Sequence, residues 1–413
     1  MDFQGKNIEL WGDDIPWLAG FREKNLRIFT MQGLPNAKTE AWKYSYFKND
    51  IFSALEIDTA PHECDNECHC HEHEKSDDYE IKFCDGKLTG EHFEFADGIM
   101  VKSLVEALYD GDIKPYLAKN FDAENFPFAA LNNAFLEQGV FICIERNTVL
   151  NKPICLHYHS HGKRNLLCNI HNIIVAEKGA DVTILEHYDG DTGTYFNNIV
   201  NEFYIGNNAH VKHYKKLSET KDSHHVSFNS VSIKQDGSYR LFCRHKECEF
   251  ARTETFVQLL ETGAEAQVDG VYKSELSGVS DITTNIRHLA ENTNSNQLVK
   301  GVLNGQSKGV FQGQIHIAKD AQKTSGHQLH RALLLSDSAT VDCKPELEIF
   351  ADDVKCSHGA TSGDLDDEQL FYMQSRGIEL EEAKKILIDA YLEEAYLRVE
   401  NETIREWLKN DNV

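Results

Sequence analysis

The stretch that decides the fold is NIIVAEKGADVTILEHY, residues 172–188. Two runs rich in Val, Ile and Thr flank the turn KGAD, so the segment reads as strand, turn, strand. The plan recurs downstream. NIVNEFYIGNNAHVKHYKKL (198–217), HVSFNSVSIKQDGSYRLFCRH (225–245) and TETFVQLLETGAEAQVDGVYK (253–273) turn at NNAH, DGSY and TGAE. The small residues Ala180, Ala209, Ser238 and Ala264 take matching places, at steps of 29, 29 and 26 residues. A period in this range marks a repeat architecture, in which each unit buries its apolar face on its neighbours. The texture holds over residues 140–350 without helical segments, which excludes a fold of alternating strands and helices. Two architectures satisfy it: hairpins stacked in a large antiparallel sandwich, or a β-helix. Asn and Gly at the turns suit both, because they tolerate left-handed backbone.

Outside this core the pattern changes. Residues 1–139 read as a helical domain. Trp17, Leu18, Phe21 and Ile28 recur among charges, and MVKSLVEALYD (100–110) repeats helical spacing through Val101, Leu104, Val105 and Leu108. A polar stretch without periodicity, PHECDNECHCHEHEKSDD (61–78), interrupts this domain and reads as a surface loop, Cys/His-rich over residues 62–78. Residues 351–413 read as a second helical domain. Asp366, three residues before Gln369, is its N-cap and Gly377 a stop. A helix from Leu380 to about Val399 has Ala383, Ile386, Leu387, Ala390, Ala395 and Leu397 as its expected apolar stripe, and Asn401 to Lys409 forms a short amphipathic end.

Composition narrows the function. With 42 Lys plus Arg against 67 Asp plus Glu, the 413-residue chain carries a formal charge of −25. Such a surface repels phosphate backbones and anionic bilayers, so neither nucleic acid nor membrane is an expected partner. No apolar run reaches the length of a membrane span, and the start has no signal-like pattern, so a cytoplasmic location is expected. Eleven cysteines, an odd count set mostly in apolar strand-like runs, read as reduced thiols. There is no GxxxxGK[ST] phosphate loop, no GxSxG elbow and no HExxH pair, so no catalytic residues are assigned and the chain is not expected to be an enzyme.

The segment KPELEIFADDVKCSHGATSGDLDDEQLFYMQSRGI (344–378) resembles the C-terminal signature shared by the SufB and SufD scaffold proteins of iron–sulfur cluster assembly. Its ADDVKCSHGAT core (351–361) has the SufD wording, LFYMQSRGI (370–378) is common to both, and LPNAKTEAWKYSYF (34–47) resembles a SufD motif near the N-terminus. The resemblance covers nearly the full length. It implies a right-handed parallel β-helix flanked by N-terminal and C-terminal helical domains. It also implies pairing with a SufB-like scaffold through the β-helix, and a SufC-like ATPase docked on the C-terminal helices. A homodimer in isolation fits the same surfaces. The iron–sulfur cluster would pass transiently through the SufB–SufD interface, with none held permanently by this chain alone. By motif, His358 and Cys356 match the family's cluster-assembly positions. Thiolate and imidazole are apt iron ligands, and residues two apart on a strand share a face. Against this stands the reading of Cys356 as a small buried hydrophobe and His358 as a turn residue. A SufB-like, cluster-bearing role is the nearest alternative, and a β-helix carbohydrate-active enzyme an alternative of another class.

Three further sets complete the candidates. Cys64, Cys68 and Cys70 with His62, His69, His71 and His73 could bind a soft metal, although their spacing fits no closed zinc site and the family assigns them no role. Cys243 and Cys248 read as structural, and His327 and His330 as packing or interface residues. Replacing the three cysteines and four histidines of residues 62–73 with serine and asparagine should leave complementation of a SufD-deficient strain intact. Loss of complementation, or of tightly bound metal, would make the stretch a metal carrier.

Overall fold

The computed structural model describes residues 2–3, 6–47, 51–58, 79–89, 95–162, 164–191 and 193–410. The Cys/His-rich stretch, with Cys64, Cys68, Cys70, His69, His71 and His73, lies outside them. After a two-residue pairing of β1 (Asp2–Phe3) with β2 (Lys6–Asn7) come helix α1 (Pro16–Gln32), strands β3 (Tyr79–Cys84), β4 (Lys87–Thr89) and β5 (Ile99–Ser103), and helices α2 (Leu104–Asp110) and α3 (Pro127–Ala134). From there strands alternate between two sheets. One sheet receives β6 (Val140–Ile144), β8 (Leu167–Ala176), β10 (Phe196–Ile205), β12 (His224–Ile233), β14 (Phe250–Leu259), β16 (Val279–His288), β18 (Lys308–Ile317) and β20 (Thr340–Ile349). The other receives β7 (Ile154–Ser160), β9 (Asp181–Gly190), β11 (His210–Leu217), β13 (Ser238–His245), β15 (Glu265–Ser274), β17 (Asn294–Leu303), β19 (Thr324–Leu334) and β21 (Val354–Gly363). Helices α4 (Asp367–Ser375), α5 (Leu380–Tyr396) and α6 (Glu402–Lys409) follow.

Within each sheet these strands pair parallel with the strand two places on, for example β8 with β10 and β9 with β11. This is a parallel β-helix, and it excludes the antiparallel sandwich. The four strand–turn–strand units fall where their sequences place them. One alignment shifts by a residue. His210 pairs with Ser238, so the counterpart of Ala209 is Gly237. The N–H groups of Ala180, Ala209, Gly237 and Ala264 all donate to the carbonyl three residues back, in the same tight corner. A Cβ on Gly237 would stand 3.1 Å from the carbonyl oxygen of Gly206 in the turn beneath, which is why the position stays small.

The ladder extends beyond the expected limits of 140 and 350. β3 pairs with β7, β4 with β3 and β5 with β6, so three strands of the region expected to be helical join the sheets. Met100 to Ser103 is strand, and the helix read over 100–110 begins only at Leu104, capped by the Ser103 side chain. At the other end β21 carries the ladder to Gly363, into the region assigned to C-terminal helices.

Between the sheets lies the core. Leu156, Tyr158, Val182 and Ile184 meet Ile170, Ile174, Ile199 and Phe203 from the opposite sheet. Polar groups enter this interior as matched sets. The amide of Asn172 donates to Asn201 at 2.9 Å and that of Asn201 to Asn229 at 3.0 Å, one rung to the next. Asn201 also donates across the core to Glu186, which pairs with Lys215 at 3.0 Å and His213 at 3.1 Å. Burial alone would raise the Glu186 carboxyl, but Lys215 and His213 hold it well below the usual carboxylate range.

The outer faces are covered by opposite ends of the chain. α3, through Phe128, and the segment around Trp42 pack on Phe196 and Phe250 of one sheet. Trp42 is buried, with the Arg252 guanidinium 4.2 Å from its ring centre and Asp281 bonded to Arg252. The EAWKYSYF motif is therefore a strap across that sheet. On the other sheet α5 and α6 place Ile388, Leu392, Tyr396, Val399 and Leu408 against Tyr214, Phe242 and Leu298. The stripe on α5 is rotated from the expected one: Ala383 and Ala395 are buried as read, while Ile386 and Leu397 are exposed.

The Glu186–Lys215 pair sets a stability test, because removing one member strands a buried charge. Lys215→Met should cost about 3–5 kcal/mol of unfolding free energy in urea. Adding Glu186→Gln should restore much of the loss. Equal stability of Lys215→Met and the parent would show that the pair is not a charged one.

Candidate functional site

β20 and β21 are the last strands of their sheets, so each has an outer edge with no strand partner among the described residues. Unpaired N–H and C=O groups along such an edge form a template for another chain. Cys356 and His358 lie on β21, opposite Gly326 and Gln328 of β19. Being two apart on a continuous strand they share a face, as the spacing predicts. That face looks into the solenoid, over the end of its interior. Cys356 is half-buried against Ile315, Ile317, Ala321 and Ala351, and burial pushes its thiol up. His358, farther along, is exposed.

Ser357 points the other way and meets His327 Nδ1 at 2.7 Å. Gly359 pairs with Leu329, and a Cβ there would stand 3.1 Å from Leu329 Cδ1. The strand runs through Gly359 without a break, so this glycine serves close packing and makes no bend. The arrangement offers one imidazole and one thiol at an open end. They can contribute to a metal–sulfur site only together with donors from elsewhere.

Directly beneath lies a chain that sequence reasoning missed. His330 Nδ1 is 3.0 Å from the Cys343 thiol, and its Nε2 is 2.8 Å from the Tyr272 hydroxyl. Burial pushes His330 down to about 4 and Cys343 up to about 11, so both are neutral. Phe311 stacks on the imidazole at 5.2 Å. The only signal was the separate presence of GHQLH and VDCKP, residues that adjoin through neighbouring strands of opposite sheets. His327 and His330 thus part company, one on the outer surface and one in the core. Cys243 and Cys248 are fully buried, with Cys243 pushed up to about 12, consistent with packing roles. The eight described cysteines are all free thiols.

Comparison with known proteins agrees with this geometry. Residues 158–391 match the family described as "SUF system FeS cluster assembly, SufBD core domain", and residues 3–156 match "SufBD protein N-terminal region". The chain is 28% identical over 399 residues to the iron–sulfur cluster assembly protein SufD of Escherichia coli (strain K12), covering 93% of this chain and 90% of that one. It is 32% identical over 288 residues to an iron–sulfur cluster assembly SufBD family protein of Synechocystis, covering 67% of this chain and 63% of the relative. A chloroplastic protein of Arabidopsis thaliana, ABCI7, is 31% identical over 300 residues, covering 70% and 63%. No helix among the described residues is long and apolar enough to cross a membrane. Matched from its N-terminal region through its β-helix and α4 into α5, the chain belongs to the SufBD family of iron–sulfur cluster assembly proteins.

Proposed function

We propose that this chain is the SufD-type, non-ATPase scaffold subunit of a cytoplasmic SUF complex. It pairs with a SufB-like scaffold through the bare edges of β20 and β21. The nascent cluster is cargo at that junction, with His358 contributing from this side and Cys356 in a lesser role. The observation that carries the reading is the coincidence of two features on one strand. β21 bears the family's signature residues and is also the uncovered last rung of the ladder. Ile349 and Phe350, 40% and 61% exposed, flank it with apolar surface suited to a partner.

The SufC-like ATPase docks on the C-terminal helices, chiefly on α4. α5 and α6 already use their apolar side against the sheet, whereas no residue of α4 is buried. Phe371 is 74% and Tyr372 59% exposed, a level at which two large rings call for a partner surface. The chain itself hydrolyses no ATP.

His358→Ala should strongly reduce iron and acid-labile sulfide per purified complex while the complex elutes at its normal size. Cys356→Ser should have the weaker effect. An intact His358→Ala complex with undiminished loading would place the cluster entirely on the partner scaffold.

Truncation after Gly363 should abolish co-purification with SufC while SufB binding survives. Because that truncation also bares the sheet, Phe371→Ala combined with Tyr372→Ala is the cleaner variant. It should weaken SufC binding at least tenfold, on the order of 1.4 kcal/mol or more. Unchanged affinity would move the docking surface off α4.

A further inference from the structure

We propose that the outer surface at the ends of β7 and β9, remote from β21, is a binding site for a divalent transition metal formed by His159, His161 and Asp191. Its origin is the alternation of a strand. On β7 the side chains of Ile154, Leu156 and Tyr158 enter the core, so Cys155, His157 and His159 face outward, and His161 continues the row just beyond the strand. On β9 the outward row is His187 and Asp189, followed past the strand by Asp191. The register sets His157 beside His187 and His159 beside Asp189. Donor atoms of His159, His161 and Asp191 consequently lie within 4.8 Å of one another.

The hydrogen bonds prepare the imidazoles for a metal. His159 Nδ1 is 2.7 Å from Asp189 and His161 Nδ1 is 3.1 Å from Asp85, so each ring has a carboxylate to receive its N–H. Metal-binding histidines are held in this way, with the second nitrogen left as the ligand. His159 shows that second nitrogen ready. The residue is only 7% exposed, yet its Nε2 is buried without a hydrogen bond. Asp191 Oδ2 stands 3.8 Å from that Nε2. Metal–ligand bonds of about 2 Å place tetrahedral donors roughly 3.3 Å apart, so a small closure of the pair around an ion completes the geometry. Two imidazoles and a carboxylate select zinc, cobalt or nickel over magnesium or calcium. The buried Cys84 thiol lies on the Asp85 side of the His161 ring, 3.5 Å from Nδ1, and is not one of the three ligands.

The test uses the full-length chain in a background where residues 62–73 have lost their cysteines and histidines and where Cys356→Ser and His358→Ala are present. This removes the candidate ligands of residues 62–73 and of β21, while the neighbouring His157, His187 and Asp189 stay in place. Titration of the metal-free background with Co2+ should show one equivalent bound, with visible absorption of a low-symmetry site, displaced by Zn2+. The exposed Asp191→Asn and the partly buried His161→Gln should each weaken binding roughly tenfold or more. Asp189→Asn, which frees the His159 ring, should weaken it by roughly ten- to a hundredfold. Circular dichroism confirms that each variant is folded. Absence of Co2+ binding in the background, or unchanged affinity in both Asp191→Asn and His161→Gln, would overturn the site.

Discussion

The constraint on which everything else depends is in-register parallel stacking. Each rung must present to the next a side chain that can lie against its own counterpart. Tyr158 and Tyr188 stack at 4.3 Å and nearly parallel, and Phe83 stacks on Tyr158 at 4.8 Å. Asn172, Asn201 and Asn229 hand one hydrogen bond along the same column. A polar side chain is tolerated in such a core because its neighbour supplies the complementary donor or acceptor, and an unmatched one would cost its full desolvation. The stacking holds the strands in register while the corners vary: β8 to β10 is a step of 29 residues and β12 to β14 one of 26, the difference being taken up in the turns.

A ladder of this kind has two ends, and this chain treats them differently. At the beginning, β4 returns antiparallel beside β3 and β5 runs antiparallel to β6, so the first rungs are closed by short strands of opposite sense. At the end, neither β20 nor β21 receives such a closure among the described residues. Interior residues of the last rung are correspondingly less buried than those of the rungs before it. Chemistry follows that gradient. His330, one strand earlier, is enclosed and neutral between Tyr272 and Cys343, while His358 is open to solvent or to a partner. The same residue type thus serves packing in one rung and presentation in the next.

Much of this was legible because the strongest signals were local. Strand–turn–strand units repeat within thirty residues or so, and the two-residue spacing of Cys356 and His358 alone places them on one face. What escaped depended on distant pairing. Met100 to Ser103 alternates as well as it cycles, and only β6, arriving some forty residues later, makes it a strand. The stripe on α5 was misphased because its burial is set by Tyr214, Phe242 and Leu298 on a sheet formed far upstream. The histidines at 157, 159 and 161 carried a readable period of two, yet their meaning comes from Asp189 and Asp85 on adjacent strands. The Ser238 alignment failed by one residue because sequence similarity favoured a small side chain, whereas the corner requires a close backbone approach that Gly237 supplies.

The covering of the two sheets gives the open end its mechanical setting. On one sheet the strap around Trp42 reaches the last rung, where Lys344 of β20 pairs with Glu40 at 2.7 Å. On the other, α5 is tied to the strands by ion pairs: Glu394 meets both Lys300 and Arg331, and Arg398 reaches the buried Asp269 at 2.9 Å. Burial raises Asp269 to about 6 despite the pull of Arg398, which still leaves it ionised at neutral pH and paired with the guanidinium. α5 and α6 are therefore fixed to the solenoid, and α4 is the part of the C-terminal region left free of it. Three residues, Asp364 to Asp366, separate α4 from the end of β21. Any body that grips α4 is joined by that short link to the strand carrying Cys356 and His358. Its displacement bears first on the one rung that no further strand holds in place.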